Sequence, residues 1–195
     1  MALIILAHPS FEQSIANKTI IEELSNSNLP LEVRDIHHLY PDYKIDVAEE
    51  QKILLKHRTI VFQYPFYWYS VPGILKHWID VVFEYGFAYG SSGDKLKGKN
   101  LLPSFTVGSS ASSYTALGFQ HFRVYEYCKQ MEQTAYFTQM NYIEPVFSYE
   151  NSRAAGYAEA QIKTNARRHA RKLIDRIRDL DKFQLLNTGE LADAR

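Results

Sequence analysis

The chain has 195 residues, enough for one well-packed domain and little more. Its 46% apolar content excludes a disordered chain, and 22 basic residues cancel 22 acidic ones, so no global charge drives it to nucleic acid or to an anionic membrane. Cys128 is the sole cysteine, which excludes an internal disulfide and any multi-cysteine metal cluster. No apolar stretch approaches the roughly 20 residues that a membrane-spanning helix needs. The N-terminus enters directly on an apolar run, with neither a basic leader nor a cleavage pattern, which points to a cytoplasmic protein.

In chain order, Ala2 to Ala7 reads as a short strand that stops at His8-Pro9. Between Ser14 and Leu24, Ile15, Ala16, Thr19, Ile20 and Leu24 recur near helical spacing, with Ser14 placed to cap the helix. Leu31 to Ile36 is a second strand whose imperfect alternation fits a less buried position, Val47 to Lys56 a helix, and Thr59 to Tyr64 a third strand. Val71, Ile74, Leu75, Trp78, Ile79, Val82 and Phe83 then form one apolar helical face, with Ser70 as its cap and Pro72 in its first turn. Leu101 to Val107 is a fourth strand, with Pro103 near its start. A helix near Phe122 to Glu132 follows, then a fifth strand from Asn141 to Phe147, where Pro145 argues for an edge. Ala154 to Leu180 reads as a long last helix. The expectation is a single domain over residues 1–180 and a C-terminal tail over 181–195. Apolar strands alternating with helices give an α/β fold: a doubly wound parallel sheet with helices on both faces. Such sheets bind ligands beyond the carboxyl ends of their strands, where the strand order reverses.

Three loops leave strand ends with suitable chemistry. The first is His8-Pro9-Ser10-Phe11-Glu12-Gln13-Ser14, with Asn17 just beyond it. Hydroxyls, a histidine and free N–H groups at a helix start can hold a phosphate; an ordinary capped turn uses the same residues. Neither GxGxxG nor GxxxxGK[ST] occurs, so the usual dinucleotide and nucleoside-triphosphate loops are unsupported. The second loop, Pro65-Phe66-Tyr67-Trp68-Tyr69, makes an aromatic shelf suited to a flat ring such as a flavin, or else a hydrophobic plug or a subunit contact. The third is Thr106-Val107-Gly108-Ser109, followed by serines and Tyr114. Its small residues allow close backbone approach to a ligand, and Tyr114 can hydrogen-bond an oxygen that gains charge during reduction. Its serines form no GxSxG elbow, which disfavours a hydrolase of that kind.

Other chemistry-bearing residues read as structural. His37 and His38 lack any accompanying metal-ligand spacing, so no metal site is expected. Cys128 reads as a small buried group rather than a nucleophile. Arg167-Arg168-His169-Ala170-Arg171-Lys172 reads as one solvated helix face.

At these loops the chain resembles the flavodoxin-like NAD(P)H:quinone oxidoreductases, over roughly residues 2–175. Within that family it is most similar to the ancillary oxidoreductases of bacterial glutathione-gated potassium efflux systems. The matching text is Leu6-Ala7-His8-Pro9, Ser14-Ile15-Ala16-Asn17 and Gln63 to Lys76. Glu84 to Gly90, Lys97-Gly98-Lys99 and Met131 to Ala135 match as well. The resemblance implies a five-stranded sheet in the order 2-1-3-4-5 and a homodimer with flavin sites near its interface. It implies that His8, Ser10, Ser14, Ile15 and Asn17 hold the phosphate side of the flavin. Pro65, Phe66, Tyr67, Trp68 and Tyr69 would contact the ribityl chain and ring, and Thr106, Val107, Gly108, Ser109 and Tyr114 would border the ring. FMN is the expected cofactor, with FAD as the alternative, and NADH or NADPH the hydride donor.

Two departures stand out. The third loop of the mammalian quinone reductases reads Thr-Thr-Gly-Gly where this chain has Thr106-Val107-Gly108-Ser109, and a histidine of their hydride-transfer relay aligns with Gln120, next to His121. The catalytic candidates are therefore Tyr114 and either Gln120 or His121. The implied reaction carries a hydride from the nicotinamide through the flavin to a quinone or a similar electrophile. The alternative is a flavin-bearing regulatory partner of a potassium efflux transporter, peripheral to the inner face of the cell membrane.

Overall fold

Residues 1–188 are described by the structure, a computed structural model. Apolar runs and amphipathic segments alternate, and they fold as β1 (Ala2–Leu6), α1 (Ile15–Ser25), β2 (Leu31–Asp35), α2 (Ile36–Leu39), α3 (Val47–Lys56), β3 (Thr59–Pro65), α4 (Gly73–Val82), β4 (Asn100–Thr106), α5 (Lys129–Phe137), β5 (Asn141–Tyr142), β6 (Val146–Ser148) and α6 (Glu159–Thr188). The strands form one parallel sheet in the order β2-β1-β3-β4-β5, with β6 also paired to β4. This is the flavodoxin-like arrangement that the resemblance implied.

Successive strand residues face opposite sides, which divides the core in two. Ala2, Ile4, Val61 and Leu102 pack against α1 and α6, where Ile162, Ala166, Ala170, Leu173 and Ile177 make a helical stripe. Leu3, Ile5, Ile60, Phe62, Leu101 and Phe105 pack against α3, α4 and α5 through Ile53, Leu54, Ile74, Trp78, Met131 and Ala135. Each fully buried Leu, Ile or Phe contributes about 1.5–3 kcal/mol. β2 is half-buried throughout, as its weak alternation suggested. No described helix is long and apolar enough to cross a membrane.

Several local expectations are corrected. The fifth strand is two short strands interrupted at residues 143–145, and β4 explains the break. Leu101 O accepts from the Ile143 N–H (2.9 Å) and the Val107 N–H donates to Ser148 O (2.8 Å), so the odd-numbered residues of β4 face the last strands. Pro103 therefore aims its missing donor at the interruption, the position where a central strand tolerates proline. Ser70 does not cap α4: Pro72 stands at that position with no side-chain cap, and Ser70 Oγ instead accepts from Gln130 Nε2 (2.9 Å). The helix expected near Phe122 to Glu132 is a 3₁₀ turn, Val124–Cys128, that runs into α5. The last helix starts at Glu159, because Gly156 takes a left-handed conformation (φ 89°) that ends the 3₁₀ turn Arg153–Ala155. It continues to Thr188, past Leu180. The rest of the tail expected over 181–195 lies outside the described residues.

Candidate functional site

β1 and β3 are neighbours, and the chain leaves them toward opposite edges of the sheet, so a crevice opens beyond their carboxyl ends. The three loops meet there. Phe66 N–H donates to Thr106 O (2.9 Å), joining the second loop to the third. Asn17 Nδ2 donates to Thr106 Oγ1 (3.2 Å), joining the first to the third. The His8 ring lies edge-on to Tyr67 at 6.3 Å, joining the first to the second.

In the first loop, Ser14 caps α1, accepting from Asn17 N–H (3.1 Å) as the sequence suggested. Among the described residues, the N–H groups of Phe11, Glu12, Ile15 and Ala16 have no acceptor, which leaves a cluster of donors at the positive end of the helix. His8 is buried, and burial, with the charge of His37 adding to it, lowers its pKa to about 4. The ring is neutral near pH 7, and its Nδ1 accepts from Ser10 N–H (3.0 Å). The proton is thereby placed on Nε2, making His8 a further donor.

The second loop is a tight turn in which Ser70 N–H donates to Tyr67 O (3.0 Å) and both central residues are left-handed, Trp68 at φ 47° and Tyr69 at φ 64°. The turn lifts Trp68 into solvent, 92% exposed. Pro65 ends β3 within the sheet. Phe66 points inward and stacks on Phe105 (5.4 Å). Tyr69 stacks on Tyr127 (5.2 Å), and its hydroxyl donates to Gln120 Oε1 (2.8 Å). No acceptor serves the N–H groups of Trp68 and Tyr69 among the described residues.

In the third loop, Val107 is held by Ser148 and Asn151 through its N–H and C=O, while the N–H groups of Gly108 and Ser109 are free among the described residues. Tyr114 is buried among Phe66, Tyr127 and Tyr149. Burial first, then the neighbouring tyrosines, pushes its pKa up to about 12, and its hydroxyl has no hydrogen-bond partner among the described residues. It is a protonated donor awaiting an acceptor. Gly118 sets the approach of Gln120: a Cβ there would lie 2.4 Å from Ser113 O, the same oxygen that accepts from Gln120 N–H (2.9 Å). Gln120 thus reaches the shelf through Tyr69. His121, left-handed at φ 60°, is exposed, and its ring makes no hydrogen bond among the described residues.

Beneath the first loop, buried polar side chains cross the sheet in an unbroken chain. Gln63 Nε2 donates to Asn17 Oδ1 (2.8 Å), and Ser104 Oγ donates to Gln63 Oε1 (2.6 Å). Ser104 Oγ also meets His169 Nε2 (2.8 Å), whose Nδ1 meets Ser148 Oγ (3.1 Å). Asn151 Nδ2 donates to that Ser148 Oγ (3.0 Å). The reading of residues 167–172 as solvated fails at His169, which is only 1% exposed. Its neighbours in the buried stripe 162, 166, 170, 173 and 177 were the available signal. Gln63 and Ser104, polar residues inside apolar strands, were also legible and went unassigned.

A separate cavity of about 780 Å³ opens between β6 and α6, lined by Ser148, His169, Arg168 and Lys172, and it meets the third loop only at Ala111. The three-loop site is by contrast an open shelf. Cys128 is buried, and burial raises its thiol pKa to about 11, which leaves it a poor nucleophile.

Comparison with known proteins gives a consistent set. The model of a family described by its flavodoxin-like fold matches residues 1–173. General stress protein 14 of Bacillus subtilis (strain 168) is 41% identical over 169 residues, covering 86% of this chain and 94% of that protein. The glutathione-regulated potassium-efflux system ancillary protein KefF of Klebsiella aerogenes is 36% identical over 175 residues, covering 90% and 96%. The efflux ancillary proteins therefore stand among the relatives and not ahead of them, so the narrower branch suggested by the sequence is not singled out. The crystal structure of general stress protein 14 from Treponema denticola in complex with FMN superposes with a TM-score of 0.80 at 34% identity, covering 89% of this chain and 97% of that one. That of an NADPH-quinone reductase from P. pentosaceus gives 0.69 at 26% identity, covering 87% and 97%.

Proposed function

Because the chain belongs to this family of flavodoxin-like fold, we propose that it is an FMN-dependent NAD(P)H oxidoreductase that delivers a hydride to quinones or similar flat electrophiles. One observation carries the reading: three loops distant in sequence meet around hydrogen-bond donors that lack acceptors among the described residues, beside an exposed aromatic wall. The donor set fits the cofactor. Ser14, the free N–H groups of Ile15 and Ala16, Ser10 and the His8 Nε2–H suit a phosphate dianion, with Asn17 behind them holding the Ser14 hydroxyl in place. The free N–H groups of Trp68, Tyr69, Gly108 and Ser109 suit the acceptor atoms along a flavin edge. Pro65, Phe66 and Tyr67 shape the wall beside the ribityl chain, while Thr106 and Val107 close the floor. Support for FMN over FAD comes from the Treponema relative, whose structure holds FMN.

When bound, the flavin supplies reversible two-electron hydride chemistry that no side chain offers. The residues of the chain position the reactants and stabilise charge. Tyr114, protonated and without a partner among the described residues, donates to an oxygen that gains charge. Gln120 holds the Tyr69 hydroxyl and with it the angle of the shelf; we assign it, rather than the solvent-facing His121, to the place of the family histidine. The open aromatic shelf admits flat acceptors and encodes no single polar pattern, in keeping with a quinone and with either nicotinamide. Exposed Leu117 (100%), Phe119 (86%) and Phe122 (55%) extend the apolar rim, and we assign them to a homodimer contact. We place the protein in the cytoplasm.

The test is direct. Full-length protein reconstituted with FMN should show the two absorption bands of an oxidised flavin and turn over NADH or NADPH with a panel of quinones. Failure to take up any flavin ends the reading. Similarity to an efflux ancillary protein supports a second role, regulation of a potassium efflux transporter at the inner membrane face. Transporter activation that survives the loss of hydride transfer would favour that role.

A further inference from the structure

The polar chain beneath the first loop fixes the direction in which protons point at the anion seat. Ser14 Oγ accepts from both the N–H (3.1 Å) and the side-chain amide (3.2 Å) of Asn17, which occupies its lone pairs. Its own proton must donate elsewhere, and no acceptor for it exists among the described residues. The same Asn17 amide donates to Thr106 Oγ1 (3.2 Å). This holds only while the Asn17 amide faces that way, and its Oδ1 is held by Gln63 Nε2 (2.8 Å). Gln63 is oriented in turn by the Ser104 hydroxyl, whose single proton goes to Gln63 Oε1 (2.6 Å). Ser104 has then only an acceptor to offer His169 Nε2 (2.8 Å), so Nε2 carries the hydrogen and Nδ1 accepts from Ser148 (3.1 Å).

We propose that His169 is a positioning residue for the anion seat of the first loop: through Ser104 and Gln63 it locks the Asn17 amide and commits the Ser14 hydroxyl to donate to a bound phosphate. The inference rests on the first loop being the FMN phosphate seat. The neutral state that the relay requires agrees with the depressed pKa of His169, lowered by burial and then by Lys172. The opposite tautomer, with both amides reversed, would turn the Ser14 proton inward onto Asn17 and remove one donor from the seat. Gln63 and Ser104 are inaccessible to solvent, and His169 is 1% exposed where it lines the cavity between β6 and α6, so the run from Ser104 to Asn17 is shielded from bulk water. From Asn17 through Gln63 and Ser104 to both nitrogens of His169 each side chain is hydrogen-bonded on both sides, and such a run of buried polar groups specifies one arrangement.

FMN and riboflavin differ only in the phosphate, so the ratio of their dissociation constants isolates the seat. We would titrate both into flavin-free full-length wild type, Ser104→Ala and His169→Gln by fluorescence, and read the His169 tautomer in wild type by nitrogen-15 NMR. The expected result is an Nε2–H tautomer and an FMN preference that falls about tenfold to a hundredfold in Ser104→Ala, as the loss of one donor to a charged group predicts. His169→Gln, whose amide nitrogen can replace Nε2, keeps the preference within about twofold. Should Ser104→Ala be insoluble, Gln63→Met, of matched length, is expected to show the same loss. An unchanged ratio in Ser104→Ala, or in Gln63→Met where that replaces it, a lost preference in His169→Gln, or an Nδ1–H tautomer in wild type overturns the relay. A wild type that binds riboflavin as tightly as FMN overturns the phosphate seat itself, whichever tautomer it shows.

Discussion

His169 ties stability to pH in a calculable way. Its ring is 1% exposed and hydrogen-bonded at both nitrogens to serine hydroxyls. Burial, with the Lys172 charge added, lowers its pKa from 6.5 to about 3. The folded pKa lies below the unfolded one, so between those values the unfolded chain holds a proton that the folded chain refuses. Stability is therefore complete above the unfolded pKa and is lost as pH falls through the window toward the folded pKa, at about 1.4 kcal/mol per pH unit. Near pH 5 the accumulated loss is about 2 kcal/mol. Carboxylates titrating in the same range act equally on wild type and His169→Gln, so their difference isolates the imidazole. Urea unfolding of both flavin-free proteins at mildly alkaline and at acid pH should show the gap shifting in favour of the variant by about 2 kcal/mol near pH 5. A gap independent of pH would mean that His169 protonates freely in the folded state, and the burial argument would be wrong.

Tyr114→Phe removes a hydroxyl with no partner among the described residues and should lower kcat on the order of a hundredfold, with FMN affinity little changed. Equal kcat in the two proteins would remove Tyr114 from the chemistry. Because its pKa is raised to about 12, the rate should show no Tyr114 ionisation across the neutral and mildly alkaline range. Arg34→Ala strands Glu50, which is fully buried and held by Arg34, by Tyr40 (2.6 Å) and by Trp78 (3.0 Å). The expected cost is about 3–5 kcal/mol in urea unfolding, and a cost near zero would show that Tyr40 and Trp78 hold Glu50 without Arg34. Ser14→Ala should lose about 1 kcal/mol as a helix cap and also lose selectivity for FMN over riboflavin; loss of stability alone would confine Ser14 to capping.

Where one periodicity dominates, the sequence is sufficient. Val47 to Lys56 is a helix with the bounds its pattern predicts, and Ser14 caps α1 because a hydroxyl before an apolar helical repeat has few better uses. The break at residues 143–145 had one local sign, Pro145, but its match to Pro103 in the neighbouring strand is something no local pattern reveals. The loops were legible by residue type, but their meeting was not. It depends on the registers of β1, β3 and β4, which set Leu6 beside Gln63 and Gln63 beside Ser104. His169 was obscured by its basic neighbours, whose charge reads as solvent-facing although the adjacent apolar stripe turns that edge of α6 inward.

The second loop stores strain that its own contacts do not repay. Trp68 and Tyr69 are successive non-glycine residues in left-handed backbone, at φ 47° and 64°, and each such residue costs on the order of 1–2 kcal/mol. Tyr69 recovers part of this by stacking on Tyr127 and holding Gln120. Trp68, at 92% exposure, recovers almost nothing within the chain. A large indole kept at such a position acts on something outside the monomer: the cofactor, the acceptor or a second copy. Trp68→Gly separates the two accounts. Glycine relieves the left-handed penalty, partly offset by its greater freedom when unfolded, so the flavin-free chain should gain about 0.5–1 kcal/mol. The same change should weaken FMN binding, raise the KM for quinones or loosen the dimer, because the shelf loses its outer wall. If Trp68→Gly instead destabilises the flavin-free monomer, the indole packs within its own chain in solution, and the strained turn is no sign of a ligand.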